Sequence, residues 1–166
     1  EKKDHNWAVL GNAGGNSDLG KKFIRITDPA NKNLSFGKLP ARVHSLDENF
    51  LLLKSSSQLG FSNDMNGFHF YGTDICQQSS FRGFSCYVID FHLFHLSSGN
   101  KDLSYFEAKK RFFKCYQSKL SARFLRTTTC RMFLSSSSLL NQLINQKGIL
   151  FILRKTKIYK FFGSQN

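Results

Sequence analysis

An α/β fold is what this sequence predicts: a mixed sheet flanked by helices, followed by a basic helical extension. Two local patterns carry that expectation. In the first, a helix signature over residues 74–82 runs into the strand signature SCYVID at 85–90, with Gly83 as the stop between them. In the second, the apolar run Phe50-Leu51-Leu52-Leu53 suits a strand covered on both faces, which requires helices on either side of a sheet.

Taken in order, WAVL at 7–10 reads as a short buried strand and GNAGGN at 11–16 as a loop, because clustered glycines favour backbone conformations other residues avoid. A strand entering a Gly-rich loop invites a phosphate-binding reading, but neither GxGxxG nor GxxxxGK spacing is present. Residues 17–40 are polar, with Asp28-Pro29 and Phe36-Gly37 as turn signals, and read as irregular chain with at most short strands. Residues 43–54 form the apolar strand. Thr73 then offers an N-cap to the helix, and Asp74 lies in its first turn, where a carboxylate complements the helix dipole. Ser104-Tyr105-Phe106-Glu107 fits a capping box, opening an amphipathic helix with Leu103, Phe106, Phe112, Phe113, Tyr116 and Leu120 on its apolar stripe. Residues 124–134 and 139–144 read as shorter helices separated by a serine loop. The closing ILFILRKTKIYKFF has no clear period.

Composition fixes the class of molecule. A chain of 166 residues supports one domain with a real core, and 40% hydrophobic content with 18 Phe and only 2 Pro excludes a disordered chain. The four cysteines are too sparse for a disulfide scaffold, which points to a reduced, cytoplasmic setting, and no apolar run is long enough to span a membrane. The EKKDHN start contains no signal-peptide core, and a first residue other than Met points to a trimmed chain or one that begins earlier. The net charge of +13 is lopsided. Residues 1–100 carry 10 Lys/Arg against 9 Asp/Glu, whereas residues 101–166 carry 14 against 2. Such a block attracts nucleic acid, anionic lipid headgroups or a phosphorylated acceptor; the alternative is a solvated helix face.

Residues 67–99, GFHFYGTDICQQSSFRGFSCYVIDFHLFHLSSG, resemble a stretch of the family 2-like glycosyltransferases of the GT-A fold. That family's motif is hydrophobic-Tyr-x-x-Asp-hydrophobic-Cys, followed by a helix, a Gly, a strand, and a His before a Ser/Gly turn. Trp7-Ala8-Val9-Leu10-Gly11 with Ala13-Gly14-Gly15, and Ser45-Leu46-Asp47-Glu48, are similar to its other landmarks, so the resemblance covers about residues 7–135. It implies that residues 1–100 are the acceptor-side half of a GT-A-type catalytic domain and 101–166 a basic helical extension. The implied activity is inverting transfer of a sugar from a nucleotide-sugar donor to a saccharide or lipid-linked acceptor. A general base would deprotonate the acceptor hydroxyl, and a divalent metal, Mn or Mg, would offset charge on the leaving diphosphate. By the same resemblance Asp74 is the base, His95 holds metal or diphosphate, and Asp47 and Glu48 contact sugar or acceptor.

The residues taken alone keep other readings open. Asp74 also fits a plain first-turn carboxylate, and His92 with His95, three apart, fits either a metal pair or structural histidines. No Asp stands two positions from another, so the family's DxD pair is absent, and the nucleotide-binding half is absent by length. A rival of a different class is a non-catalytic basic module that grips nucleic acid or an anionic membrane surface. In it Tyr159, Phe161 and Phe162 lie beside Lys157 and Lys160 for base stacking, whereas the same interleaved tail fits equally an interfacial anchor that places an enzyme beside lipid-linked acceptors. A truncated, inactive reading frame is the third alternative.

Overall fold

A computed structural model describes residues 4–17, 21–96, 101–126 and 128–156. The chain divides into two compact units, Glu1–Phe112 and Phe113–Asn166. Residues 101–112 therefore belong with the first unit, and the division does not coincide with the charge step after residue 100. The basic aromatic tail from Lys157 onward and the Ser/Gly turn after Leu96 lie outside the described residues.

The first unit runs β1 (Trp7–Gly11), β2 (Ala13–Gly15), β3 (Lys22–Thr27), β4 (Asn33–Phe36), β5 (Ala41–Val43), β6 (Ser45–Leu46), β7 (Leu51–Leu53), a 3₁₀ turn (Ser55–Ser57), α1 (Tyr71–Phe81), β8 (Ser85–Val88), β9 (Leu93–Phe94) and the start of α2 (Leu103–Leu120). One sheet has the order β5-β8-β1-β7, with β1 and β8 parallel and the outer pairs antiparallel. A second has the order β4-β3-β2-β6, with β9 parallel to β3. The mixed α/β class expected from sequence is therefore present. The core is built from Ala8, Val9, Val43, Leu46, Ile75, Cys76, Cys86 and Val88, which places one face of α1 over the first sheet. Burying such side chains stabilises the unit by about 1.5–3 kcal/mol each for the larger ones.

Several local expectations give way to tertiary pairing. The glycine run is not a loop: Ala13-Gly14-Gly15 pairs with β3 on one side and β6 on the other. A Cβ on Gly14 would collide with the Ser45 carbonyl oxygen, so the absent side chain is what lets β6 approach. The polar stretch expected to be irregular with at most short strands holds the β3–β4 hairpin, and the turn expected at Asp28-Pro29 is held by the Asp28 carboxylate accepting from the amides of Ala30 and Lys32 at 3.0 and 2.8 Å. The 43–54 run is broken among β5, β6 and β7. Its leucines form a three-residue edge strand with Leu52 47% exposed, so they are not covered on both faces. α1 begins before Thr73, with Phe70 as the residue at its cap. Ser104 does not cap α2; Asp102 does, accepting from the Tyr105 amide at 3.2 Å and the Ser104 hydroxyl at 2.6 Å.

In the second unit, β10 (Arg123–Arg126) and β11 (Arg131–Leu134) form an antiparallel hairpin, followed by α3 (Ser138–Ile144) and α4 (Lys147–Thr156). The helix expected over 124–134 is this hairpin. Phe124 faces Phe133 across it with ring centroids 5.0 Å apart, a period-two pairing that a helix cannot make. Two asparagines of the α3 region hold β11. Asn145 accepts from the Phe133 amide at 2.7 Å and donates to its carbonyl at 2.8 Å, and Asn141 does the same to Ser135 at 2.8 and 3.0 Å. Ser137 caps α3 by accepting from the Leu140 amide.

Candidate functional site

The site grows from the turn that follows β6. The Asp47 amide donates to the Ala13 carbonyl at 2.9 Å, which carries the β2–β6 pairing one residue further and fixes where the next side chains start. The side chain of Glu48 then reaches the N-terminus of α1, where its Oε1 accepts from the Gly72 amide at 3.0 Å. That contact replaces the missing side-chain cap, since Phe70 contributes none. Gly72 is required there, because a Cβ would lie 2.5 Å from the Leu46 carbonyl oxygen. The Tyr71 hydroxyl donates to the Glu48 carbonyl at 3.2 Å, holding the same turn from the helix side.

These residues border two adjoining cavities of about 300 and 770 Å³, which share Asp47, Glu48, His69 and Tyr105. Lys22 and Thr73 line the smaller, and His95, Asn49 and Lys101 the larger. The aromatic wall is packed: Tyr105 meets His69 edge-on at 5.4 Å and Phe70 at 5.3 Å, while Phe70 also rests against Phe112 at 5.6 Å. Phe70 has φ of 68°, a left-handed backbone that is costly for a bulky residue and is held by these ring contacts. Asn49 adds a buried Oδ1 with no hydrogen-bond partner among the described residues, at a position bordering the larger cavity.

Electrostatics singles out Glu48. Burial pushes its carboxyl up from 4.5 to about 7, and the Asp47 charge adds to the rise, while the Gly72 amide opposes it. Near neutral pH this one group therefore both donates and accepts a proton. The Tyr71 phenol is raised as well, by burial first and then by the charges of Glu48 and Asp47.

The structure brings three of the four expected site residues together. Asp47, Glu48 and His95 border one cavity. Asp74 does not: it is 0% exposed, it borders neither cavity, and its oxygens accept from the Ser62 amide and hydroxyl at 3.2 and 3.0 Å and from the Gln78 amide group at 2.6 Å. A carboxylate so enclosed anchors the loop around Ser62 to α1 and has no route to an acceptor hydroxyl, which corrects its reading as the base. His92 is bonded to the Thr27 hydroxyl at 2.7 Å, on the strand whose carbonyl receives the His95 amide at 2.8 Å. Among the described residues no group of three or more His, Cys, Asp or Glu side chains is gathered around a metal position. His69, Thr73 and Tyr105 are cleft residues that local pattern gave no reason to select. The one available signal was a histidine between two phenylalanines just ahead of a helix.

No protein-family model matches the chain. It is similar to a protein of Fuscovulum blasticum named ATP synthase subunits region ORF 6, with 34% identity over 139 residues, covering 81% of this chain and 56% of that protein. The chain thus spans little more than half the length of the curated relative it matches. This finding overturns the expectation of a glycosyltransferase acting in carbohydrate biosynthesis, because the relative's name refers to the ATP synthase subunits region and not to sugar transfer. Among the described residues, no helix is long and apolar enough to cross a membrane.

Proposed function

We propose that the first unit binds a small polyhydroxylated ligand, a saccharide being one candidate, in the cleft between the β6 turn and the start of α2. The observation that carries this reading is the convergence of Asp47, Glu48 and His69 with Tyr105 on one cleft beside the strained Phe70. Paired carboxylates accept hydrogen bonds from neighbouring hydroxyls, and an aromatic wall takes the apolar face of such a ligand. Glu48, titrating near neutrality, makes the hydrogen bonding offered to a ligand hydroxyl depend on pH, accepting when ionised and able to donate when protonated. A GT-A-type sheet is proposed for the architecture alone, on the parallel β1–β8 pair with α1 preceding β8.

The test is a binding screen on the whole chain by calorimetry and thermal shift. It uses neutral polyols, alkylamines and organic phosphates as three separate classes. Polyols are expected to bind, and Asp47→Asn is expected to weaken them about tenfold, the usual scale for losing a hydrogen bond to a charged group. Glu48→Gln is expected to flatten the pH dependence of binding around neutrality. Binding confined to organic phosphates, or polyol affinity indifferent to Asp47→Asn, would overturn the reading.

A further inference from the structure

The second unit has a feature that the cleft does not use. Residues 113–166 contain 10 Lys/Arg and not one Asp or Glu. In the hairpin, Arg126 and Arg131 are direct cross-strand partners, and both are exposed. Like charges directly opposite on a hairpin repel, and this unit holds no carboxylate side chain to offset them. Beside them lies a cavity of about 400 Å³ whose other walls include Phe124, Met132, Leu150 and Leu153. Leu150 and Leu153, three apart on α4, share one helix face. Paired guanidinium groups on the lining of an otherwise apolar cavity are the recognition chemistry of an amphiphilic anion.

We propose that this unit binds an anionic phospholipid, with its phosphate on Arg126 and Arg131 and an acyl chain in the cavity between the hairpin and α4. Two guanidinium forks suit a phosphate, bidentate and charge-assisted. The cavity suits a chain segment, not a base or a peptide backbone, because its lining apart from the two arginines is apolar: Phe124, Leu125, Met132, Leu150 and Leu153. The exposed surface of the unit agrees. Leu139, Leu140 and Leu143 on α3 and Phe151 and Ile152 on α4 are 44–62% exposed, and the Lys155 ammonium sits 5.0 Å over the Phe151 ring. Exposed leucine and isoleucine cannot stack on bases as a nucleic-acid surface would require, but they partition into the acyl boundary of a bilayer beside basic side chains. A lipid surface is therefore favoured over nucleic acid.

The experiment uses the whole chain and four probes: phosphatidylglycerol vesicles, phosphatidylcholine vesicles, soluble dihexanoyl-phosphatidylglycerol and glycerol phosphate. Duplex DNA serves as the competing class. The expected result is flotation with phosphatidylglycerol vesicles and not with phosphatidylcholine, together with short-chain lipid bound at least about tenfold tighter than glycerol phosphate, the gain coming from buried methylenes. Arg126→Gln with Arg131→Gln is expected to weaken short-chain lipid binding about tenfold or more. The same double variant is expected to melt at or above the wild type without lipid, since the facing charges are relieved. If it fails to fold, Arg126→Lys with Arg131→Lys, which keeps the charge but loses the fork, is expected to weaken the short-chain lipid several-fold. Equal affinity for glycerol phosphate and short-chain lipid would overturn the cavity assignment. So would binding unchanged in the variants, or duplex DNA bound more tightly than phosphatidylglycerol vesicles.

Discussion

Replacing Glu48 with glutamine should make the protein more stable at neutral and mildly alkaline pH and leave it nearly unchanged in acid. The glutamine side chain keeps an oxygen for the Gly72 amide, so the cap on α1 survives while the ionisable group disappears. The magnitude follows from proton linkage. In the unfolded chain the carboxyl loses its proton near 4.5, whereas the folded state holds it until about 7. Between those values the native state binds more protons than the unfolded one, so the stability contributed by Glu48 is complete below 4.5, falls as pH rises, and is gone above about 7. At about 1.36 kcal/mol per pH unit the full window is worth at most about 3 kcal/mol. Part of the side chain meets solvent, and screening reduces this to about 1–2 kcal/mol. At about 4 °C per kcal/mol for a unit of this size, the melting-temperature gap between Glu48→Gln and wild type should open by about 4–8 °C from pH 4.5 to pH 8. The assay is thermal unfolding followed by circular dichroism across that range in matched ionic strength. Parallel curves for the two proteins would refute the reasoning, because every other titrating group is common to both.

Three further outcomes follow from the geometry. Asp74→Ala should cost about 2–4 kcal/mol in urea unfolding, since it strips the acceptor from the Ser62 amide and hydroxyl and from Gln78 in a fully buried setting. A loss below about 0.5 kcal/mol would show that water or rearrangement replaces it. Gly14→Ala should destabilise by about 1–3 kcal/mol, because the new methyl group meets the Ser45 carbonyl and the side chains of Leu46 and Val88; a melting temperature equal to wild type would mean that β2 and β6 do not approach so closely. Asn145→Ala should lower stability by about 1–2 kcal/mol and speed exchange of the Phe133 amide in hydrogen-exchange mass spectrometry, and unchanged exchange there would refute the Asn145 clamp.

Much of the scaffold was legible because it is written locally. The strand at Trp7, the helix closed near Gly83, the strand that follows, and the short helix after the serine run each depend on hydrophobic period and end signals within a dozen residues. The failures share one cause. Gly14-Gly15 and the polar segment before Pro40 have weak local preference, so their strands exist because partners distant in sequence supply the hydrogen bonds. The 124–134 segment carries apolar residues at spacings that fit a helix as well as a strand, and its hairpin is held by Asn141 and Asn145, whose bonds to β11 no local pattern announces. The resemblance drew attention to Asp47, Glu48 and His95, which do share a cavity, and to Asp74, which does not.

The sequence by itself determined the α/β class, the position of α1 and β8, and the accumulation of positive charge in the last third, because composition and short-range periodicity suffice for these. Only the tertiary structure decided the fates of the two carboxylates. Asp74 and Glu48 are alike on paper, yet the rotation of α1 turns Asp74 inward onto Ser62, while the β6 turn delivers Glu48 to the amide of Gly72, 24 residues away, at the wall of the cleft. Burial and distance to a partner set the chemistry of an ionisable group, and both are properties of packing that a residue's neighbours in the chain do not fix.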